Sequence, residues 1–452
     1  MNIALLSQDN FLPRFYRLVL TNILSSVVVP LAGLVDLAFL GHLPDIRYLA
    51  GVSLAAIIFS YLYRVLKFLR SSTTGMTAQA MGAEDNEAML LALLRNGLIA
   101  LALGLLILTL QYPLQKIGFT FLVGTMEVKD AGVDYFSARI WGAPAVLLNF
   151  VFIGWLFGRE MNNVVLILSV LESVINIVLD YIFIIRWGWD STGAGLTTAI
   201  SQYLMLFGGL TVICFHIDWS TTSTTIQRVL DWPAIKAISK LNVSLLLQSL
   251  AMVTTLSIFT NLSSAMGIVV LVENTVLLQA AVLCLFIVQG VGFATQSLAG
   301  NFKGQGNSSQ LVNLIAIAGI TSLSIALLLA GLYILFPNSV FGLLTNHTEV
   351  IEEIYHYLLW LMPFQILYAL ASVLEGYFVG LTEGEILRDS SLASFCIGFL
   401  PIVIAAWYWH SNHLLWLALS LYPLVGIIVM GLKLVKTWQS ELVDGATSSI
   451  TN

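Results

Sequence analysis

Charge is scarce in this chain: Asp, Glu, Lys and Arg make up 10% of 452 residues, against 58% hydrophobic residues. Soluble domains carry about 25% charged residues, so a water-soluble globular fold is excluded for most of the length. Cysteine is nearly absent. The three present, Cys214, Cys284 and Cys396, stand far apart without CxxC spacing. That excludes a disulfide framework and suggests neither a metal site nor a redox pair; all three read as buried small apolar residues. The six histidines lie at the ends of apolar runs or between them, which gives none of them a relay position inside a span. No GxxxxGK[S/T] loop occurs, which argues against a nucleotide-driven pump contained in this chain. The sequon Asn346 to Thr348 is too short a motif to use.

What is present is long apolar runs, many exceeding the ~20 residues that cross a bilayer. They cover Phe15 to Leu40, Leu49 to Met81, Ala88 to Leu110, Ala131 to Phe157, Val164 to Ile185 and Gly193 to Phe215. After a polar stretch come Ile238 to Ala265, Val270 to Ala299, Leu311 to Leu335, Val350 to Leu381, Ser391 to Trp409 and Leu414 to Leu434. Only helices and closed barrels satisfy their backbone within lipid, so the expectation is an all-α integral membrane protein of twelve transmembrane helices with no soluble domain attached. The first run continues past Pro30 and Asp36 without a small-residue cleavage site, as a retained span does. The net charge of -6 matters less than where the cations fall. Arg14, Arg17, Arg95, Arg159, Arg228, Lys236, Lys240, Lys303, Arg388, Lys433 and Lys436 share one side; only Arg47, Lys116, Lys129 and Arg186 take the other. That bias places both termini in the cytoplasm of a cell membrane.

The halves echo each other. "GWLFG" at Gly154 to Gly158 recurs as "GYFVG" at Gly376 to Gly380, and "MGAED" with Gly82 answers "KGQGN" with Gly304; both offsets are 222. Trp141 and Pro144 precede the first pair of glycines as Trp360 and Pro363 precede the second. Six spans per repeat make the repeats parallel. The expectation is two six-helix lobes related by a pseudo-twofold axis along the membrane normal, with a cavity between them. The lobes are residues 1–216 and 235–452, joined by a cytoplasmic linker, 217–234. The paired glycines read as helix-packing positions.

Ionisable groups at membrane depth are expensive and point to function. The first half carries Asp36, Arg64, Lys67, Arg70, Arg139, Glu172 and Asp180 inside spans; the second carries Glu273 and Glu375. At a rise of ~1.5 Å per residue, Asp36 lies roughly 30 Å and Asp180 roughly 24 Å from the cytoplasmic ends of their spans. Thr198 sits near the outer end of span six, and Asn176 lies one turn below Asp180 on the same face. Two carboxylates at one level, with amide and hydroxyl oxygens nearby, can share a proton or coordinate a monovalent cation such as sodium. Arg64, Lys67 and Arg70 form a basic stripe on span two, at depths that allow a Glu172 ion pair with Arg64 or Lys67; the alternative is a surface for an anionic group of the substrate.

In order, "VDLAFLGHL", "FLRSSTTGMTAQAMGAED", "YFSARIWGAPAVLLNFVFIGWLFGRE", "INIVLDYIFI" and "GAGLTT" resemble the DinF-type branch of the multidrug and toxic compound extrusion (MATE) family. The resemblance covers most of the first half and, more loosely, the second. It implies a proton- or sodium-coupled antiporter for multidrug efflux, not an enzyme, with Asp36, Asn176, Asp180 and Thr198 as the coupling-ion site. It also implies Tyr135, Arg139 and Asn149 near the cavity, to which Arg64, Lys67, Glu172 and Glu375 are added as substrate-facing candidates. Span eight has Gln289 and Gln296 where the family usually carries acidic residues, Glu375 stands where aspartate is commoner, and Arg64, Lys67 and Glu172 are unusual. These departures leave the substrate open. The expected partners are a small organic substrate, a proton or sodium ion and membrane lipid, with no cofactor, no nucleic acid and a monomeric state. A flippase for a lipid-linked precursor is the alternative, since that class also lines its cavity with basic residues.

Overall fold

The computed structural model describes residues 11–217, 222–342 and 354–450. The sequon at Asn346, His347 and the expected start of span ten at Val350 lie outside the described residues. No strand occurs among the described residues. Helix α1, Phe11–Gly41, is 31 residues long. After it come the eleven helices among the described residues that are long and apolar enough to cross a membrane: α2 Arg47–Gly82, α3 Asn86–Thr109, α4 Met126–Gly158, α5 Asn162–Arg186, α6 Asp190–His216, α7 Trp232–Met266, α8 Ile268–Gly304, α9 Ser308–Leu335, α10 Ile354–Gly380, α11 Gly384–Trp409 and α12 Asn412–Thr437. With α1 they make the twelve helices expected, mostly longer than their apolar runs because polar ends extend each helix beyond the hydrocarbon.

The chain forms two compact units. One comprises Met1–Asn242 with Gly300–Asn307, the other Val243–Ala299 with Ser308–Asn452. In the first, Phe59 of α2 stacks on Phe136 of α4 with ring centroids 5.1 Å apart. The second is built around Phe259, Trp416 and Phe364, whose rings meet edge to face at 5.3 and 6.2 Å.

The repeat is written into the backbone. Left-handed residues close helices at Glu84 and Gly306, at Glu160 and Thr382, and at Gly188 and His410, each pair 222 positions apart. The fourth span of each half contains a 3₁₀ turn at its WxxP, Ile140–Gly142 and Leu358–Trp360, where proline removes a backbone donor. The fifth span of each half contains a wide π-turn, Tyr181–Arg186 and Ser394–Phe399. The GxxxG glycines do pack helices closely. A Cβ on Gly154 would lie 2.5 Å from the Arg70 carbonyl oxygen of α2, and one on Gly376 would strike the Gly292 carbonyl of α8; Arg70 and Gly292 are again 222 apart.

The two 222-related glycines at helix ends meet each other's surroundings. A Cβ on Gly82 would strike the backbone of Asn301, and a Cβ on Gly304 would strike that of Gln79. Asn301 and Gln79 are themselves 222 apart, so the contact is reciprocal, and all four residues belong to the first unit. Beside it Arg14 of α1 pairs with Glu160 through two N–H groups, Nε to Oε2 at 2.7 Å and Nη2 to Oε1, and Nη2 also reaches Asn301 Oδ1 at 3.1 Å.

The cysteines differ from expectation. Cys284 is buried, but Cys214 and Cys396 are exposed. A small apolar group on a membrane helix loses nothing by facing lipid tails.

Candidate functional site

Four helices of the first unit bring polar groups together. Asp180 is the last residue of regular α5 before its π-turn, a helical irregularity common at functional sites. It is fully buried. Thr197 of α6 donates its hydroxyl to Asp180 Oδ1. Asp36 of α1 turns its carboxyl to within hydrogen-bond reach of Asp180. Neither Asp36 Oδ1 nor Asp180 Oδ2 has a donor among the described residues. Two carboxylates in contact repel; one proton between them turns the repulsion into a hydrogen bond.

Arg139 of α4 faces Asp36 electrostatically. Its Nη1 donates to the Tyr135 hydroxyl at 2.5 Å, and its guanidinium lies 4.6 Å from the centroid of the Phe59 ring. Thr198 does not bind Asp180: its hydroxyl donates to the Ala194 carbonyl at 2.9 Å and lies beside the Tyr135 hydroxyl. The hydroxyl on Asp180 is that of the adjacent Thr197, while Thr198 stays in the cluster through Tyr135. Asn176 is buried one turn below Asp180, and its Nδ2 has no partner among the described residues. Oxygens of Asp36, Asp180, Asn176 and Thr197 are the donors available here to a monovalent cation.

The expected ion pair of Glu172 with Arg64 or Lys67 does not form. Glu172 Oε1 accepts from Ser201 Oγ at 3.2 Å and Gln202 Nε2 at 3.0 Å, and Oε2 from Ser173 Oγ at 3.5 Å. Depth estimates fix the level of a residue and not the direction it faces; α6 fills the side of α5 that carries Glu172. Asn149 of α4 belongs to the same network, its Nδ2 donating to Gln202 Oε1 at 3.1 Å. Arg64 is exposed in the last regular turn before α2 bends at Lys67. Arg70 lies over the Phe157 ring at 5.7 Å. In the other unit Glu375 hydrogen-bonds Gln248. Gln202, Ser201 and Tyr63, whose buried hydroxyl has no partner among the described residues, are the polar members that sequence reading did not single out. The four-residue spacing of Thr197 and Ser201 on α6 was the available signal.

The MatE family model matches residues 22–182 and 241–407. DNA damage-inducible protein F of Escherichia coli K12 is 31% identical over 96% of this chain and 94% of its own length. A probable multidrug resistance protein NorM of Thermotoga maritima is 24% identical over 72% of this chain and 71% of its own. A solved MOP superfamily transporter from Pyrococcus furiosus superposes with a TM-score of 0.82 over 93% of this chain and 94% of that one, at 21% identity, which shows the fold.

Proposed function

This chain belongs to the MatE family of multidrug and toxic compound extrusion transporters, and we propose that it exports organic compounds in exchange for protons. One observation carries the choice of ion: the carboxyls of the half-buried Asp36 and the fully buried Asp180 face each other, each with a buried oxygen that has no partner among the described residues, an arrangement that a single shared proton completes. A proton arriving from outside removes one negative charge and ties α1 to α5. Its loss to the cytoplasm restores the repulsion and lets the two helices part. Coupling follows if substrate prefers one of these two arrangements of the lobe, since a ligand shifts an equilibrium only by its difference in affinity. Arg139, held by Tyr135 and facing Asp36, is the group through which substrate senses the pair. Arg64 and Lys67 contribute positive charge to the substrate surface.

The test is efflux from proteoliposomes holding the full chain and a panel of cationic and anionic amphiphiles, under an imposed pH gradient or an imposed sodium gradient. Transport driven by the pH gradient alone is expected. Transport that follows sodium and ignores pH would replace the proton with sodium at the same oxygens.

A further inference from the structure

Glu172 is a buried acid that the exchange just described does not use. Glu172, Asn176 and Asp180 repeat every four residues on α5 and are 7%, 4% and 0% exposed. The two carboxyls are thus stacked on one face, roughly 12 Å apart along the helix, with the unpartnered Asn176 Nδ2 between them.

The groups facing Glu172 can be named element by element. From α6 come Ser201 and Gln202, both donating to Oε1. From α4 comes Asn149, which fixes Gln202 and has no charge. From α1 the group within electrostatic reach is Asp36. On α5 itself stand Ser173 and, two turns above, Asp180. Among the described residues no Lys or Arg hydrogen-bonds Glu172.

An acid in this setting has two states, each with its own cost. Ionised, it keeps three neutral donors but lacks a counter-cation and faces Asp36. Protonated, it sheds the charge and the repulsion, and gives up one accepted hydrogen bond to become a donor. A structural carboxyl would be expected to have a cation, and a packing residue at this depth would not need to be an acid. Asn176 can turn its free amide hydrogen toward either carboxyl, so charge on one bears on the other.

The geometry points to Glu172 as a second proton-binding group, linked through Asn176 to the Asp36 and Asp180 pair, so that two protons enter per cycle of exchange. This rests on the proton-antiport reading for its role in transport. The chemistry is a plain association: a proton from water adds to the Glu172 carboxylate and is later returned to water.

Isotope-edited infrared difference spectra of the full chain in liposomes, taken between mildly acid and mildly alkaline buffer, test it with the proton itself as probe. Relative to wild type, Glu172→Gln is expected to remove one titrating carboxyl component and lower proton uptake by about one per chain. Asp180→Asn is expected to remove a different component. Should Glu172→Gln fold poorly, Glu172→Asp in carboxyl-labelled aspartate is expected to show one titrating aspartate more than wild type. Identical spectra for wild type and Glu172→Gln, or no added aspartate signal in Glu172→Asp, overturn the proposal. Failure of the antiport reading looks different: no pH-driven transport by wild type, whatever the Glu172 spectrum. A silent Glu172 with intact pH-driven transport removes only the second proton.

Discussion

At the scale of single residues, the carboxyl pair sets the sharpest expectation. Asp180→Asn keeps size and hydrogen bonding to Thr197 but removes the titratable oxygen, so proteoliposomes carrying it should no longer concentrate substrate against its gradient under an imposed pH difference. Asp36→Asn should fail in the same way, because in the proposed cycle the two acids share one proton. Folding is checked separately by elution and thermal melting; a well-folded variant transporting at the wild-type rate would refute the assignment. Asp36 and Asp180 were legible in the sequence because a charge in an apolar run announces itself and a helix converts position into depth. Thr197 was not separable from Thr198, since neighbours on a helix differ by about 100° in direction and only the contact with α5 decides which one looks inward. For the same reason the Glu172 partner was misread: level was known, azimuth was not.

Individual helices were legible to different degrees. Span number and order followed from apolar length, and the packing role of "GWLFG" followed from its recurrence. The π-turn after Asp180 left no trace, because "YIFIIR" would serve equally well as regular helix; in the fold this turn packs against α6 and α1. The WxxP turns were visible only as motifs whose geometry proline then explains. Close contact of α4 with α2 has a measurable cost if spoiled. A Cβ at Gly154 would sit 2.5 Å from the Arg70 carbonyl oxygen and one at Gly158 2.5 Å from the Thr77 Cβ. Gly154→Val should therefore destabilise the protein by about 1–3 kcal/mol through overpacking, read as a lowered melting temperature in detergent. Gly97 has open space around its Cβ position, and Gly97→Ala should melt as wild type does.

For the whole molecule, the distribution of lysine and arginine predicts orientation more firmly than any contact does. Gln227 is exposed in the segment before α7. A Gln227→Cys variant should react with a membrane-impermeant maleimide only after the cytoplasmic face is opened; labelling from outside intact cells would invert the layout. Native Cys214 and Cys396, both exposed, are replaced by serine in this background. The doubling of the chain was legible as two motifs at one offset. Its depth was not, because the left-handed closures at Glu84, Glu160 and Gly188 and their counterparts fall on six residues of mostly unrelated chemistry.

The mutual seats of Gly82 on Asn301 and of Gly304 on Gln79 lie within one compact unit, so a single strip of closely packed backbone carries both contacts. Gly82→Ala and Gly304→Ala should consequently carry matched penalties in thermal melting, and the double variant should cost less than their sum, because backbone that moves aside for one methyl group has already moved for the other.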